Sequence, residues 1–502
     1  MAKALMIQGT GSGVGKSIIV AGLCRIFRDQ GIKVAPFKAQ NMALNSFITK
    51  EGGEIGRAQA YQAEAARIEP SVDMNPVLLK ATGEAGCQVI LNGKVHRNMQ
   101  AQEYYAYKEH AWAAVTEAYA RLSKKYDLIV IEGAGSPAEI NLANDEVVNM
   151  SVARHVNAPV LLVGDIDKGG VFASLYGTIA LLDKDADYIK AFIINKFRGD
   201  IEILKPGLTM IQEKTGRPVL GVVPYLGDLG LHEEDGIPLE RLWWSGHGKN
   251  VGPKIKVVVV RLRYISNFTD FDPFQYEADV ELVYSLRDAD IEHADLVIIP
   301  GSKNTVQDLL FLRESGIEAS ILRAADNGIP IAGVCGGYQM LGKKILDPHG
   351  VEGPHQEVAG LGLLDVETIF DRVKTTCQVE ASLNAESGMG NAEWCGNDSL
   401  KGYEIHMGST TGDVGLFKLK RLDSAFVLDG SAKGNVWGTY IHGIFDNDVF
   451  RRGLINALRE KRGFAPVEDV TDFAKARDAA LDKWADVLRE SIDMRYIQEL
   501  IN

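Results

Sequence analysis

The stretch Gly9-Thr10-Gly11-Ser12-Gly13-Val14-Gly15-Lys16-Ser17 concentrates glycines ahead of a lysine and a hydroxyl. Glycines let a backbone close around an anion, and a helix start offers unpaired N–H groups at the positive end of its dipole. In that setting Lys16 reaches the outer phosphates of a nucleotide such as ATP, and the Ser17 hydroxyl ligates Mg2+. Strict Walker A is not met, because Thr10 stands where a glycine is wanted five residues before Gly15. Gly-Lys-Ser at a helix start still assigns Gly11, Gly13, Gly15, Lys16 and Ser17 to phosphate binding. Glu132, in Glu132-Gly133-Ala134-Gly135, is the best second ligand, since a hard divalent cation beside phosphates prefers carboxylate oxygen. Asp165 and Asp167 either join this site or close a turn; Asn195 either reads a purine edge or is a plain turn asparagine.

A second constellation lies in Gly333-Val334-Cys335-Gly336-Gly337-Tyr338-Gln339. A cysteine on a sharp strand-to-helix turn among glycines has the geometry of a nucleophile elbow, and the helix start favours its thiolate. Backbone N–H groups of Gly336 and of the Pro300-Gly301-Ser302 turn are placed to form an oxyanion hole. The thiol needs a base, and His442 in Tyr440-Ile441-His442-Gly443 is the candidate. His406, in Tyr403-Glu404-Ile405-His406, either shapes the same pocket or makes structural hydrogen bonds.

Both groups need strand ends to hold them. Apolar runs Ala4–Ile7, Lys33–Phe37, Leu128–Ile131, Val160–Val163, Phe192–Ile194 and Val219–Val223 alternate with helical stretches, which predicts a parallel sheet covered on both faces. Ligands then collect beyond the carboxyl ends of the strands, where Lys38, Glu132, Asp165 and Asn195 fall. A glycine- and proline-rich stretch from Pro224 to Lys254 reads as a junction ending near Gly252. Lys256–Val260, Leu296–Ile299 and Ile329–Val334 then begin a second α/β unit, and the terminal stretch reads as helices with alternating charge. The fold class expected is α/β with two doubly wound domains: 1–252, 253–450, and a helical extension at 451–502.

The composition narrows the partners. A net charge of -13 argues against nucleic acid or an anionic membrane as the main partner. The 5 cysteines are odd in number and scattered without a CxxC pair, which fits a reducing compartment. No basic, apolar leader precedes the first strand and no apolar run approaches the ~18 residues of a membrane helix, so a cytoplasmic location is expected.

The motifs around Cys335 and His442 resemble the class I glutamine amidotransferases, whose cysteine attacks the glutamine side-chain amide, forms a thioester and releases ammonia. The resemblance implies a flavodoxin-like sheet for the second half. Many members carry a glutamate two residues after the histidine, where this chain has Ile444. The same absence marks the cobyrinate-amidating branch, in which cysteine and histidine work as a pair. The first half is similar to dethiobiotin synthetase and its relatives, whose glycine loop also departs from Walker A. Segments such as Lys38-Ala39-Gln40-Asn41-Met42, Gly164-Asp165-Ile166-Asp167-Lys168, Asn195-Lys196-Phe197-Arg198, Asn267-Phe268-Thr269-Asp270-Phe271-Asp272 and Gly402-Tyr403-Glu404-Ile405-His406 extend the resemblance to that branch over nearly the whole chain.

What the resemblance implies is an ATP- and glutamine-dependent ligase acting on a corrinoid. The substrate would be adenosylcobyrinic acid a,c-diamide, amidated at its b, d, e and g carboxylates, with ammonia passing between the domains. The branch would place an aspartate before Val147; Glu146 stands there, preceded by Asp145, and either acid is open as the phosphorylation-site residue. The sister enzyme that amidates the a and c carboxylates is the near alternative. A nucleotide-switched binding protein with an inactive amidotransferase domain is the alternative from another class.

Overall fold

The apolar runs of the first half pair into one parallel sheet, in the order Val219–Pro224, Ile189–Phe197, Val160–Asp165, Lys3–Gly9, Leu128–Glu132, Val34–Phe37. Successive side chains alternate between its faces. Leu5, Ile7, Val130 and Val163 thus enter one core cluster, while Met6, Ile129, Ile131 and Leu162 enter another on the opposite face. In this computed structural model residues 2–81, 86–142, 146–226, 243–245, 252–384, 399–421 and 426–502 are described. Asp145, Cys395 and most of the junction stretch lie outside the described residues.

Helix Lys16–Asp29 springs from the first strand through Gly15, whose φ of 96° suits only glycine without strain. The chain's far end returns to this helix. Leu481, Trp484 and Leu488, on helix Phe473–Ser491, complete its core, and Trp484 Nε1 donates to the Ile18 carbonyl at 2.7 Å. A small sheet, Gln40–Met42, Val77–Ala81, Gly86–Leu91 and Lys94–Gln100, and a hairpin, Ser46–Ile48 with Glu54–Gly56, branch off after the second strand.

In the second half the parallel strands lie in the order Val280–Ser285, Ile255–Val260, Leu296–Ile299, Ile331–Val334, Val436–Thr439. Counted along the chain that is 2-1-3-4-5, the flavodoxin-like order. Antiparallel strands Trp243–Ser245 and Ser431–Lys433 edge it, the former from within the junction stretch. A second, largely antiparallel layer is built on the long pair Val366–Leu383 and Leu400–Gly412. Among the described residues no helix is long and apolar enough to cross a membrane.

Candidate active sites

The first site forms where Lys3–Gly9, Val34–Phe37 and Leu128–Glu132 end side by side. Lys16 is buried beneath the glycine loop, its Nζ donating to Gly11 O at 3.0 Å and to Gly135 O at 3.3 Å. Ser17 Oγ donates to Glu132 Oε1 at 2.7 Å, so the two oxygens expected to hold an ion are already neighbours. Lys38 Nζ meets the same carboxylate at 2.9 Å, and Gln62 Nε2 reaches Oε2 at 2.6 Å. Burial pushes the Glu132 carboxyl up, but the Lys38 ammonium and the hydrogen bonds outweigh it and hold it below the usual range. Asn195 Nδ2 donates to Val14 O at 2.9 Å and Lys196 Nζ to Gly13 O at 2.6 Å, so both brace the loop from strand Ile189–Phe197, two places along the sheet. Asp165 accepts from the Asp167 backbone at 2.9 Å and pairs with Lys196 at 3.5 Å. Glu146 accepts from the backbone N–H groups of Val148, Asn149 and Ser151, capping the helix that starts at Met150.

The second site follows the same logic at the other sheet. Cys335 lies between strand Ile331–Val334 and helix Gly336–Leu341 with φ 52° and ψ -107°, a backbone a cysteine adopts only under strain. The neighbouring strand crosses close behind it, and a Cβ on Gly337 would lie 1.9 Å from the Ile299 carbonyl oxygen. A Cβ on Gly336 would lie 2.8 Å from the Ser302 amide nitrogen, which brings the two expected oxyanion donors to one place. The Cys335 thiol points to Ile405 O at 3.6 Å.

His442, fully buried, follows strand Val436–Thr439, the next strand of the sheet. Its Nδ1 lies 2.6 Å from Asp270 Oδ2, and Asp270 Oδ1 accepts from the Gly443 backbone at 3.2 Å. A carboxylate only accepts, so Nδ1 carries a proton. Nε2 has no hydrogen-bond partner among the described residues. Burial pulls the imidazolium down, but the Asp270 carboxylate and the Cys335 sulfur outweigh it and the pKa is pushed up to about 10. The Tyr403 ring stacks on the imidazole at 5.2 Å. Cysteine and histidine are therefore backed by a third group, which reading the residues after His442 missed. The legible signal was an acid-bearing segment, Asn267–Asp272, just beyond the strand Ile255–Val260 of the same sheet.

The first half holds this turn from outside. Ser46 N donates to Asn267 Oδ1 at 2.8 Å, Phe268 N to Asn45 Oδ1 at 3.2 Å, and Tyr403 OH to Ser46 O at 3.3 Å. Deeper in the contact, Glu54 of the first half accepts from Lys80 at 2.8 Å and from Lys374 of the second half at 2.6 Å. Cys335, Gln339, Lys303, Glu352, Lys80 and Lys374 line one cavity, so the pocket over the thiol has walls from both halves. His406 also faces it, fixed by Glu404 at 3.1 Å and Gly408 O at 2.7 Å, with its ring stacked on Tyr440 at 3.8 Å.

Residues 5–239 match a family model described as the CobQ/CobB/MinD/ParA nucleotide binding domain, and residues 256–450 one described as the CobB/CobQ-like glutamine amidotransferase domain. A cobyric acid synthase of Thermodesulfovibrio yellowstonii is 50% identical over 100% of this chain and 99% of its own length. The chain belongs to the cobyric acid synthase family. Cobyric acid synthases of Dehalococcoides mccartyi and Caldanaerobacter subterraneus subsp. tengcongensis are 49% and 48% identical, each over 100% of this chain and 99% of theirs. As a cobyric acid synthase family member the chain thus joins a nucleotide-binding domain, over residues 5–239, to a glutamine amidotransferase domain, over residues 256–450.

Proposed function

We propose that the protein is an ATP-dependent carbon–nitrogen ligase. It converts the b, d, e and g carboxylates of adenosylcobyrinic acid a,c-diamide to amides with glutamine as nitrogen donor. The observation that carries this reading is the pairing of a phosphate site at Lys16, Ser17 and Glu132 with a thiol site at Cys335, His442 and Asp270 in one chain. Residues 1–252, apart from strand Trp243–Ser245 on the edge of the second sheet, form the amidoligase domain, 253–450 the amidotransferase domain and 451–502 the extension. The family-model limits at 239 and 256 and the return of Trp484 to the first core support this division.

A carboxylate is a poor acyl donor because its oxygen does not leave, so ATP first converts it to an acyl phosphate. The loop N–H groups, Lys16 and Lys38 neutralise and align the phosphates for that step. The Ser17 hydroxyl and the Glu132 carboxylate are adjacent hard oxygen donors and would hold Mg2+, which supplies charge neutralisation at the phosphates when bound. At the second site His442 takes the Cys335 proton, the thiolate attacks the glutamine amide carbon, and N–H groups of Gly336 and Ser302 hold the oxyanion. Imidazolium then protonates the leaving nitrogen, ammonia departs, and water cleaves the thioester to glutamate. Ammonium is no nucleophile, so ammonia must reach the acyl phosphate sheltered from water, on a passage that would begin in the two-walled cavity over Cys335. The odd, scattered cysteines, four of them free among the described residues, fit work in a reducing cytoplasm.

The test is incubation of purified protein with the a,c-diamide, ATP, Mg2+ and glutamine, followed by mass spectrometry. Successive carboxyl-to-amide conversions at b, d, e and g are expected. An unchanged corrinoid, or amidation only of a diacid at a and c, contradicts the assignment.

A further inference from the structure

The cavity over Cys335 holds more charge than amide chemistry needs. Lys80 and Lys374 are both committed to Glu54, at 2.8 Å and 2.6 Å. Lys303 is different. It lies two residues past Gly301, on the turn that crosses Gly336, and its side chain makes no hydrogen bond or ion pair with any described residue. Glu352 faces the same cavity from another loop. Its Oε2 accepts from Val306 N at 3.1 Å and its Oε1 from Thr305 Oγ1 at 3.4 Å, which fixes the carboxylate at the start of helix Thr305–Glu314.

A fixed carboxylate and an uncommitted ammonium, set beside a nucleophilic thiol, match the α-ammonium and α-carboxylate of a free amino acid whose side-chain amide lies at the sulfur. Resting on the amidotransferase reading above, we infer that Lys303 binds the α-carboxylate of glutamine and Glu352 its α-ammonium. Together they select a free amino acid over other primary amides. Electrostatics agree with the geometry. Burial pulls the Lys303 ammonium down, Lys80 adds to that, and Glu352, Glu54 and the Cys335 sulfur oppose it. Burial likewise pushes the Glu352 carboxyl up. An incoming zwitterion relieves both, placing an anion beside the lysine and a cation beside the glutamate.

The experiment measures hydrolysis by the full-length protein of glutamine, of 4-aminobutanamide, which lacks the α-carboxylate, and of 4-carbamoylbutanoate, which lacks the α-ammonium. Wild type should prefer glutamine over each by at least about 10²-fold in kcat/KM, since a site built for a polar group rejects the analogue lacking it. In Lys303→Met the preference over 4-aminobutanamide should collapse through a raised KM for glutamine, while the preference over 4-carbamoylbutanoate persists. Glu352→Gln should do the reverse. Ammonia-driven amidation reports the folded fraction of each variant. Unaltered selectivity in both variants, or an equal loss toward all three amides, overturns this inference alone. Failure of wild type to hydrolyse glutamine overturns it together with the amidotransferase reading.

Discussion

Asp270 Oδ2 sits 2.6 Å from Nδ1 of His442, although the two residues are 172 positions apart and no acid stands two residues after the histidine. The buried carboxylate fixes the tautomer with the proton on Nδ1, which leaves Nε2 without a hydrogen-bond partner among the described residues and, on the proposed mechanism, able to take the Cys335 proton. The acid beside the imidazole thus comes from a loop distant in sequence.

Asp270→Asn keeps the shape but presents an amide to Nδ1. Glutamine-dependent turnover should fall by roughly 10²- to 10⁴-fold, mainly in kcat, with ammonia-dependent turnover little changed. Steady-state kinetics with the two nitrogen sources checks this. Equal loss with both would mean that Asp270 matters only for folding.

Much of this was legible beforehand, because parallel sheets announce themselves by apolar runs and present their strand ends to ligands. Glu132 ends its strand and Cys335 directly follows one, while Gly15, Lys16 and His442 lie on the segments just beyond theirs. The acid-bearing segment around Asp270 could be read, but its pairing with His442 could not, since strands Ile255–Val260 and Val436–Thr439 stand three places apart in the sheet and only the fold of the Asn267–Asp272 turn brings the two residues together. Lys303 and Glu352 escaped for the same reason, joined only by the folding of two loops over one cavity. Asn195 illustrates a local limit. Its position was readable, but its Nδ2 bond to Val14 O depends on which strand ends the sheet order brings near the glycine loop.

At the nucleotide site, Lys16→Ala and Glu132→Gln should each lower amidation by about 10²-fold or more with glutamine and with ammonia alike, because both act on the phosphoryl step. Basal glutamine hydrolysis at Cys335 should survive. ATP-dependent product formation and glutamate release, measured side by side, separate the two effects.

The His442–Asp270 pair also writes a pH signature into stability. Asp270 and the Cys335 sulfur, working against burial, raise the folded pKa of His442 to about 10. An unfolded histidine titrates near 6.5. The stabilisation is therefore complete below about pH 6.5 and is lost as pH rises toward 10, a change on the order of 5 kcal/mol. Denaturant titrations of wild type and His442→Gln across that window should show their difference shrinking. A constant difference would count against the ion pair.

The central claim is that nitrogen is freed at one site and used at the other, and Cys335→Ala tests it most directly. Corrinoid amidation is measured with glutamine and then with high external ammonia, under the same ATP and Mg2+. The account predicts no product with glutamine and near wild-type product with ammonia. Loss of both, or persistence of the glutamine reaction without the thiol, contradicts it.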